Sequence, residues 1–346
     1  MAGHRNAKGF VLVATLWALA ALALLASYIN SVVATRVEDA TEDKRVFLAE
    51  LDRRNTEATV LYLLATGRMN HHSLILGEAP NRIDVQVPRV ASPFPGDSEL
   101  RVTGAAYSGL GGARFALQDE GGLISVNAPR FPAFAALLRN IGVPEEDIGQ
   151  VVAKVEDYID TDDFLTLQGA ERHDYMQQGK TLPLNWVMSS PMEMLDVLGV
   201  GELIGPERWT ELRPLLTMRP ASSYNFNTMH PRVLAALLGL DALGVQGVLE
   251  EREKHPLSRL TQLAMLTGKH LEIDEMDLAV LPSNFLRLSV WHESVGPRTV
   301  VGIELTPLGE TAPWRKDYRY SEPSTTRNGS GISSEPVLEA ATPLLR

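Results

Sequence analysis

Residues 10–35 read FVLVATLWALAALALLASYINSVVAT and contain no Asp, Glu, Lys, Arg or His. A helix of about 20 apolar residues spans a bilayer, so this segment is long enough to cross one. The apolar core of a cleaved secretory signal is shorter, roughly 7–15 residues, which favours a retained transmembrane helix. Basic residues precede the segment and acidic residues follow it, so the positive-inside rule predicts a cytoplasmic N-terminus with the bulk of the chain outside.

The residues in front of the apolar segment are Lys8-Gly9-Phe10. Glycine lets a protease approach the backbone closely, and cleavage after Gly9 would leave Phe10 as the new N-terminus. This pattern resembles the type IV prepilin leader. It therefore predicts that prepilin peptidase removes residues 1–9 and that the new terminus is methylated. Most pilin-like proteins have Glu at the fifth mature residue, where this chain has Ala14.

The helix is predicted to continue beyond the membrane. No Pro or Gly interrupts residues 10–66, and Gly67 is a suitable C-terminal stop. Apolar residues recur at steps of three and four from Val37 to Ala65, the spacing of an amphipathic helix. Its first half would lie in lipid, and its second half would pack on a folded domain.

The remaining chain is divided between strand-like and helical sequence. Alternating apolar and polar residues predict strands at 83–90, 99–107, 113–118, 285–293, 298–306 and 314–320. Between them the pattern is helical. We therefore expect an α+β fold in which a pilin-like long N-terminal helix packs on a small antiparallel sheet, with a large α-helical domain inserted. The predicted domains are 36–127 with 284–320 (pilin-like), 128–283 (helical) and 321–346 (flexible tail).

The helical part contains an internal similarity at an offset of 100 residues. Asn127 followed by Ala135-Ala136-Leu137-Leu138 corresponds to Asn227 followed by Ala235-Ala236-Leu237-Leu238. Each copy continues to a Gly-containing turn, which predicts two helix-hairpin-helix-like repeats. Such hairpins often bind DNA phosphates, but residues 119–180 hold twelve acidic and five basic residues. That field repels nucleic acid, so no nucleic-acid partner is expected.

An acidic cluster is the best candidate for a chemical site. Asp157, Asp160, Asp162 and Asp163 lie within seven residues, and Glu171 follows. Hard divalent cations bind several oxygen ligands with carboxylates supplying the charge, so these five residues are predicted to hold a structural Ca²⁺. The spacing does not satisfy the EF-hand pattern. A solvated acidic loop, a magnesium site and acid–base catalysis remain open as alternatives.

Composition and motifs give little support to catalysis. The chain has 346 residues, a formal net charge of −11 and no cysteine, which excludes disulfide scaffolds, thiol nucleophiles and cysteine-ligated metals. The sequence contains no H-E-x-x-H, G-x-S-x-G or P-loop motif. The prediction is a non-enzymatic protein. A membrane-anchored periplasmic metal-dependent enzyme is the alternative from another class.

Taken together, these features resemble the general secretion pathway protein K family, the large minor pseudopilin of type II secretion systems. The resemblance covers roughly residues 8–320. The residues that carry it are Lys8-Gly9-Phe10, Leu16-Trp17, Asp119-Glu120-Gly121-Gly122 with Asn127-Ala128, the segment from Asp157 to Asp163 with Gly169-Ala170-Glu171, and Asn225-Phe226-Asn227-Thr228. The family also characteristically lacks the Glu that Ala14 replaces. Tyr158 stands where the family often has Trp.

The resemblance implies a pilin-like fold with a helical insertion and calcium near the acidic motif. It also implies a place at the tip of the periplasmic pseudopilus, in a protein anchored in inner-membrane lipid, with the minor pseudopilins I and J as partners. The expected role is to cap the pseudopilus and to help start its assembly for export of folded proteins. A minor pilin of a type IV pilus or competence system is the alternative within the same class.

Overall fold

The computed structural model describes residues 8–76, 99–127, 131–219, 223–269, 273–293 and 295–322. Most of the leader, the predicted strand at 83–90 and the tail beyond Glu322 lie outside these ranges. The α-helices are α1 (Lys8–Thr66), α2 (Phe131–Asn140), α3 (Glu145–Ile159), α4 (Arg172–Gln177), α5 (Val200–Ile204), α6 (Pro206–Leu212), α7 (Pro231–Leu238), α8 (Ala242–Lys254) and α9 (Leu260–Thr267). The strands are β1 (Arg68–Met69), β2 (Ser73–Ile75), β3 (Glu99–Arg101), β4 (Thr103–Ser108), β5 (Ala113–Asp119), β6 (Ile124–Ser125), β7 (Leu216–Thr217), β8 (Phe285–His292), β9 (Arg298–Leu305) and β10 (Trp314–Glu322).

Helix α1 is continuous, as the absence of Pro and Gly predicted. Its 59 residues extend about 88 Å at ~1.5 Å per residue. The apolar side chains of its N-terminal half are exposed, whereas Val60, Leu63 and Leu64 near its C-terminal end are buried. Within the described ranges α1 is the single unbroken helix with the length and apolar composition to cross a membrane. These features fit a membrane anchor that continues into a folded domain.

The C-terminal part of α1 packs on a five-stranded antiparallel sheet with the order β10-β9-β8-β5-β4. Apolar side chains from α1, β5, β8 and β9 form one core, which includes Val60, Leu64, Phe115, Leu288 and Val301. Strands β1, β2 and β3 form a small sheet beside it. The predicted mixed α+β class, with a long helix on an antiparallel sheet, is confirmed.

Polar groups of α1 bind two hairpin tips of the sheet, those between β4 and β5 and between β8 and β9. Thr56 Oγ1 accepts a hydrogen bond from the backbone N–H of Leu110 at 2.9 Å, and Asp52 Oδ2 accepts one from Gly112 at 3.1 Å. Arg53 donates to the carbonyl of Pro297 at 3.0 Å. Each bond satisfies a backbone group that the turn would otherwise leave unpaired, so these residues set where the sheet sits along the helix.

A buried ion pair offers a test of this docking. Glu57 of α1 is 6% exposed and binds Lys316 at 2.5 Å and Arg319 at 3.0 Å, both on β10. We expect Glu57→Gln to lower the free energy of unfolding by about 1–2 kcal/mol. The substitution removes the negative charge of a buried carboxylate, but Lys316 and Arg319 can still be solvated by water. Chemical denaturation of the detergent-solubilised full chain measures this.

The control for that measurement is Glu42→Gln. Glu42 pairs with Arg45 on the exposed part of the same helix, with 54% of its side chain accessible. A solvent-exposed pair of this kind contributes little to stability, so this substitution should have a much smaller effect. Equal effects of the two substitutions would contradict a stabilising role for Glu57.

The helical segment leaves the sheet after β5 and returns to it at β8. It has its own core, which runs from Ile124 to Leu263 and contains Phe134, Tyr175 and Phe226. Two cores with different members fit the expected insertion of a helical unit into the sheet. The exact domain boundaries at 128 and 283 stay a prediction, and the first core residue of the helical part, Ile124, precedes the former.

In the two segments related by the 100-residue offset, the equivalent asparagines make the same kind of hydrogen bonds to backbone carbonyls. Asn127 donates to the carbonyls of Met188 and Met218, at 2.7 and 2.6 Å. Asn227 donates to those of Leu257 and Val280, at 3.1 and 3.2 Å. Each asparagine therefore ties together loops that are distant in sequence. Whether the two segments are structural repeats of one unit stays a prediction.

Asp119 joins the helical part to the sheet. It ends β5, is fully buried and accepts five hydrogen bonds through its two side-chain oxygens. The donors are Gly121 N (3.1 Å), Asn225 Nδ2 (3.1 Å), Thr228 Oγ1 (2.6 Å), Ser283 N (3.0 Å) and Ser283 Oγ (2.6 Å). Burial raises the pKa of Asp119, and the hydrogen bonds from Ser283 and Thr228 oppose that shift. The carboxyl group of Asp119 thus connects the end of β5, the residues just before β8 and the loop before α7.

Glu120 makes a second buried connection at the same junction. One carboxylate oxygen accepts a hydrogen bond from Thr217 at 2.8 Å, and the other accepts one from the hydroxyl of Tyr318. Arg287 donates to that hydroxyl at 3.0 Å and to the carbonyl of Pro214 at 3.0 Å. Burial raises the pKa of Tyr318, so the phenol stays neutral and remains a donor. The network links β8 and β10 to the segment around β7.

Candidate metal centre

Three carboxylates meet where α3 ends and α4 begins. Asp157 lies in the last turn of α3, Asp160 is the residue that ends this helix, and Glu171 precedes the first residue of α4. One side-chain oxygen from each lies within 4.8 Å of the others. The C-terminal end of a helix carries partial negative charge, which adds to the repulsion among these groups and favours a cation between them.

Burial leaves part of this cluster without hydrogen-bond donors. Asp157 is fully buried and Glu171 is 4% exposed. Asp157 accepts a hydrogen bond from the hydroxyl of Thr166 at 2.6 Å. By contrast, both side-chain oxygens of Glu171 and Oδ1 of Asp160 are buried without a hydrogen-bond partner in the part of the chain that the structure describes. Buried charged oxygens without donors are costly, so this donor set is complementary to a cation.

Gly169 is required by the close approach of the loop to Asp157. A Cβ atom at this position would lie 1.9 Å from Oδ2 of Asp157. A side chain there would push the carboxylate away from the cluster. The Gly169-Ala170-Glu171 segment is therefore the sequence signal that brings Glu171 to the end of α3.

The electrostatics of the cluster shift its pKa values. Burial, together with the nearby Asp157 and Asp160, raises the pKa of Glu171 to about 7. Burial and the neighbouring Asp162 and Asp157 also raise the pKa of Asp160. Both shifts report the same cost of holding negative charge here. An oxygen-only set with two to three negative charges has the chemistry that Ca²⁺ or Mg²⁺ binds.

The other two predicted ligands lie apart from this trio. Asp162 is exposed and accepts a hydrogen bond from the N–H of Phe164 at 2.9 Å. Asp163 is also exposed; it binds Asn185 at 3.1 Å and lies 3.6 Å from Arg172. The structure thus brings Asp157, Asp160 and Glu171 together but not Asp162 and Asp163. The spacing along the chain does not predict this division. It depends on the loop after α3, which turns Asp162 and Asp163 toward solvent.

The raised pKa of Glu171 predicts a pH dependence of the metal-free protein. The folded chain holds the Glu171 proton more tightly than the unfolded chain, whose value is 4.5. Stability should therefore be lost as the pH rises through the window from about 5 to about 7. We expect the Tm in EDTA to fall across this window and Glu171→Gln to flatten the slope. Differential scanning calorimetry measures this; a slope of the opposite sign, equal in the variant, would contradict the assignment.

The predicted cleavage site is only partly described. Gly9 and Phe10 lie in the first turn of α1, and residues 1–7 are outside the described ranges. The structure therefore does not bear on leader removal, which stays a prediction.

Comparison with known proteins identifies the segment that carries this centre. Residues 115–221 match the family model for the type II secretion system (T2SS), protein K. Over this segment the chain is similar to the protein K family. The resemblance predicted from the sequence is confirmed, and the match includes Asp119, Glu120 and all five predicted ligands.

A solved structure extends the likeness to most of the chain. A chain in the crystal structure of the GspK–GspI–GspJ complex from the type 2 secretion system of enterotoxigenic Escherichia coli is 16% identical, with a TM-score of 0.50. The alignment covers 84% of this chain and all of that one. At this identity the comparison shows a shared fold. No match was found among the curated protein sequences.

Proposed function

We propose that this protein is the minor pseudopilin that caps the tip of the type II secretion pseudopilus and helps start its assembly. After removal of residues 1–9, α1 anchors it in the inner membrane with its N-terminus on the cytoplasmic side. The folded part lies in the periplasm. Its task is structural and serves the export of folded proteins.

The observation that carries this proposal is the helical unit between β5 and β8. Its first part, up to residue 221, lies in the region that matches protein K, and the unit adds a second core to a pilin-like sheet. A unit of this size obstructs a subunit stacked above it. Ala14 also leaves no carboxylate to pair with the terminal amine of such a subunit. Both features suit a subunit that occurs once, at the tip.

We further propose that homologues of GspI and GspJ are its partners. The solved complex with the same fold contains these three proteins together. The test is co-purification of the full chain with pseudopilins I and J from the same organism, followed by counting the copies of each. One copy per pseudopilus supports a cap, and incorporation along the shaft would contradict it.

A structural Ca²⁺ ion fits the same role. Asp157, Asp160 and Glu171 would hold it, and it would neutralise their mutual repulsion. The chain's own residues then close the loop from Asp160 to Glu171 against the end of α3, through Thr166 and Gly169. The bound ion would supply stability and not catalysis.

Leader processing gives the most direct test of the class. Prepilin peptidase co-expressed with the full chain is expected to remove residues 1–9 and to methylate Phe10, as read by intact mass. Gly9→Val should block cleavage and reduce secretion of exported enzymes by at least tenfold, because a side chain at Gly9 obstructs the protease. The matched control, Ala7→Val, should be cleaved normally.

Other outcomes separate the alternatives. Normal secretion with an uncleaved Gly9→Val chain would contradict the pseudopilin role. Intact secretion combined with loss of twitching or DNA uptake would indicate a minor pilin of a type IV pilus or competence system.

A further inference from the structure

Five large apolar side chains are exposed next to the metal centre. We call them the apolar loop surface: Phe164, Leu165, Leu167, Leu184 and Trp186. Phe164 is 81% exposed, Leu167 is 91% exposed and Trp186 is 65% exposed. They lie far along the chain from the membrane-spanning part of α1. Single exposed apolar residues are common, but a group of this kind marks an interaction site.

Hydrogen bonds hold the two loops of this surface together. Asn185 donates to the carbonyl of Asp162 at 2.7 Å and to the side chain of Asp163 at 3.1 Å. Asn185 lies between Leu184 and Trp186, and Asp163 directly precedes Phe164. The two groups of apolar side chains are therefore neighbours in space, although about twenty residues separate them in sequence.

Each of the two loops contains one non-glycine residue with a positive φ. Gln168 has a φ of +69° and Asn185 a φ of +48°, and within the described ranges these are the only non-glycine residues in the left-handed region. Such conformations are uncommon in residues other than glycine, and they cluster at binding sites. Gln168 and Asn185 both lie in the loops that carry the apolar loop surface.

The rim of the surface is acidic. Residues 156–174 contain seven Asp or Glu and one Lys or Arg, Arg172. The exposed Asp162 and Asp163 lie directly beside Phe164. A single divalent ion at the metal centre would leave this rim negative. Such a rim repels anionic lipid and attracts a protein surface that carries positive charge.

We propose that the apolar loop surface docks a partner protein through a segment with apolar side chains flanked by Lys or Arg. The apolar side chains of the partner would cover Leu167 and Trp186, and its cations would face Asp162 and Asp163. This inference goes beyond the proposed tip function and does not require it. Large apolar anchors in the middle and charges at the rim are the usual anatomy of a protein interface.

The test is photo-cross-linking of the full chain in cells of the native host. The photoreactive amino acid p-benzoylphenylalanine replaces Leu184 in one strain and Leu167 in another. Leu308, which is 97% exposed between β9 and β10, provides the control position. Mass spectrometry of the cross-linked peptides identifies the bound segment. The expected result is one protein segment, captured at 184 and 167 but not at 308, that carries apolar residues and net positive charge.

Binding of the purified, identified partner completes the test. Leu167→Ser combined with Trp186→Ser should weaken it at least tenfold, whereas Leu308→Ser should leave it unchanged, all with an unaltered Tm. Changing the partner's flanking Lys or Arg to Glu should weaken binding similarly. Cross-links to phospholipid, to a second copy of this chain or to an acidic segment would overturn the proposal. So would cross-linking no stronger than at 308. Secretion assays in the same strains report separately on the tip function.

Discussion

Asp119→Ala is expected to lower the free energy of unfolding by about 4 kcal/mol, because it removes the acceptor of five buried or half-buried donors. The hydroxyls of Thr228 and Ser283 have carbonyl acceptors nearby, at 3.4 and 3.0 Å. The N–H groups of Gly121 and Ser283 and the side-chain amide of Asn225 lose their Asp119 acceptor altogether. Because these hydrogen bonds lie at the junction, we expect both the sheet and the helical unit to become less stable.

Asp119→Asn should be nearly as damaging, although it preserves the shape of the side chain. One oxygen of Asp119 accepts from Asn225 and Thr228, and the other accepts from Gly121 and Ser283. An asparagine NH₂ group in either orientation points a donor at donors. This substitution therefore separates the need for acceptors from the need for volume.

The matched control is Ser283→Ala, which removes one hydroxyl from the same site and should cost about 1 kcal/mol. Urea denaturation of the detergent-solubilised full chain, followed by circular dichroism, measures all three variants. If Asp119→Asn were no more destabilising than Ser283→Ala, the junction would not depend on this carboxyl group.

Calcium is expected to raise the Tm of the full chain, and EDTA to reverse the effect. At 100 times its dissociation constant, a ligand bound only by the folded state adds about 2.7 kcal/mol. Asp160→Asn should abolish most of this response, because Asp160 supplies one of three converging carboxylates. Calorimetry in calcium and in EDTA measures the response of each variant.

Asp162→Asn is the matched control, since it removes the same charge two residues away. Asp162 is exposed, and its side chain accepts a hydrogen bond from the backbone N–H of Phe164 in the same loop. The Asp162→Asn variant should therefore show the same rise in Tm with calcium as the unsubstituted chain. An equal loss in both variants would extend the ligand set into the loop, as the spacing of the acidic residues predicted. A chain whose Tm does not change with calcium would remove the metal proposal.

Local patterns were sufficient to predict the long helix and three of the strands, whereas the strand predicted at 99–107 is divided into β3 and β4, which belong to different sheets. An uncharged segment and a spacing of three and four without Pro or Gly predicted α1, which the structure shows from Lys8 to Thr66. Alternation predicted β5, β8 and β9 to within about one residue at each end. These signals arise from the geometry of one helix or one strand, so neighbouring residues contain them.

The candidate site could be predicted only in outline. The density of carboxylates between Asp157 and Glu171 indicated an oxygen-ligand site, and the structure brings three of the five predicted residues together. The role of Asp119 could not be read from the sequence, because its donors lie up to 164 residues away. The Asp119-Glu120-Gly121-Gly122 segment was noted as a family mark, but nothing in it indicates a junction.

Residues close together in the chain were sufficient to predict the long helix α1, the strands β5, β8 and β9, and the concentration of negative charge. Only the folded chain shows which carboxylates converge, which ones face solvent, and how Asp119 connects the helical unit to the sheet. Those arrangements depend on how distant segments pack, and periodicity along the chain carries no information about that packing.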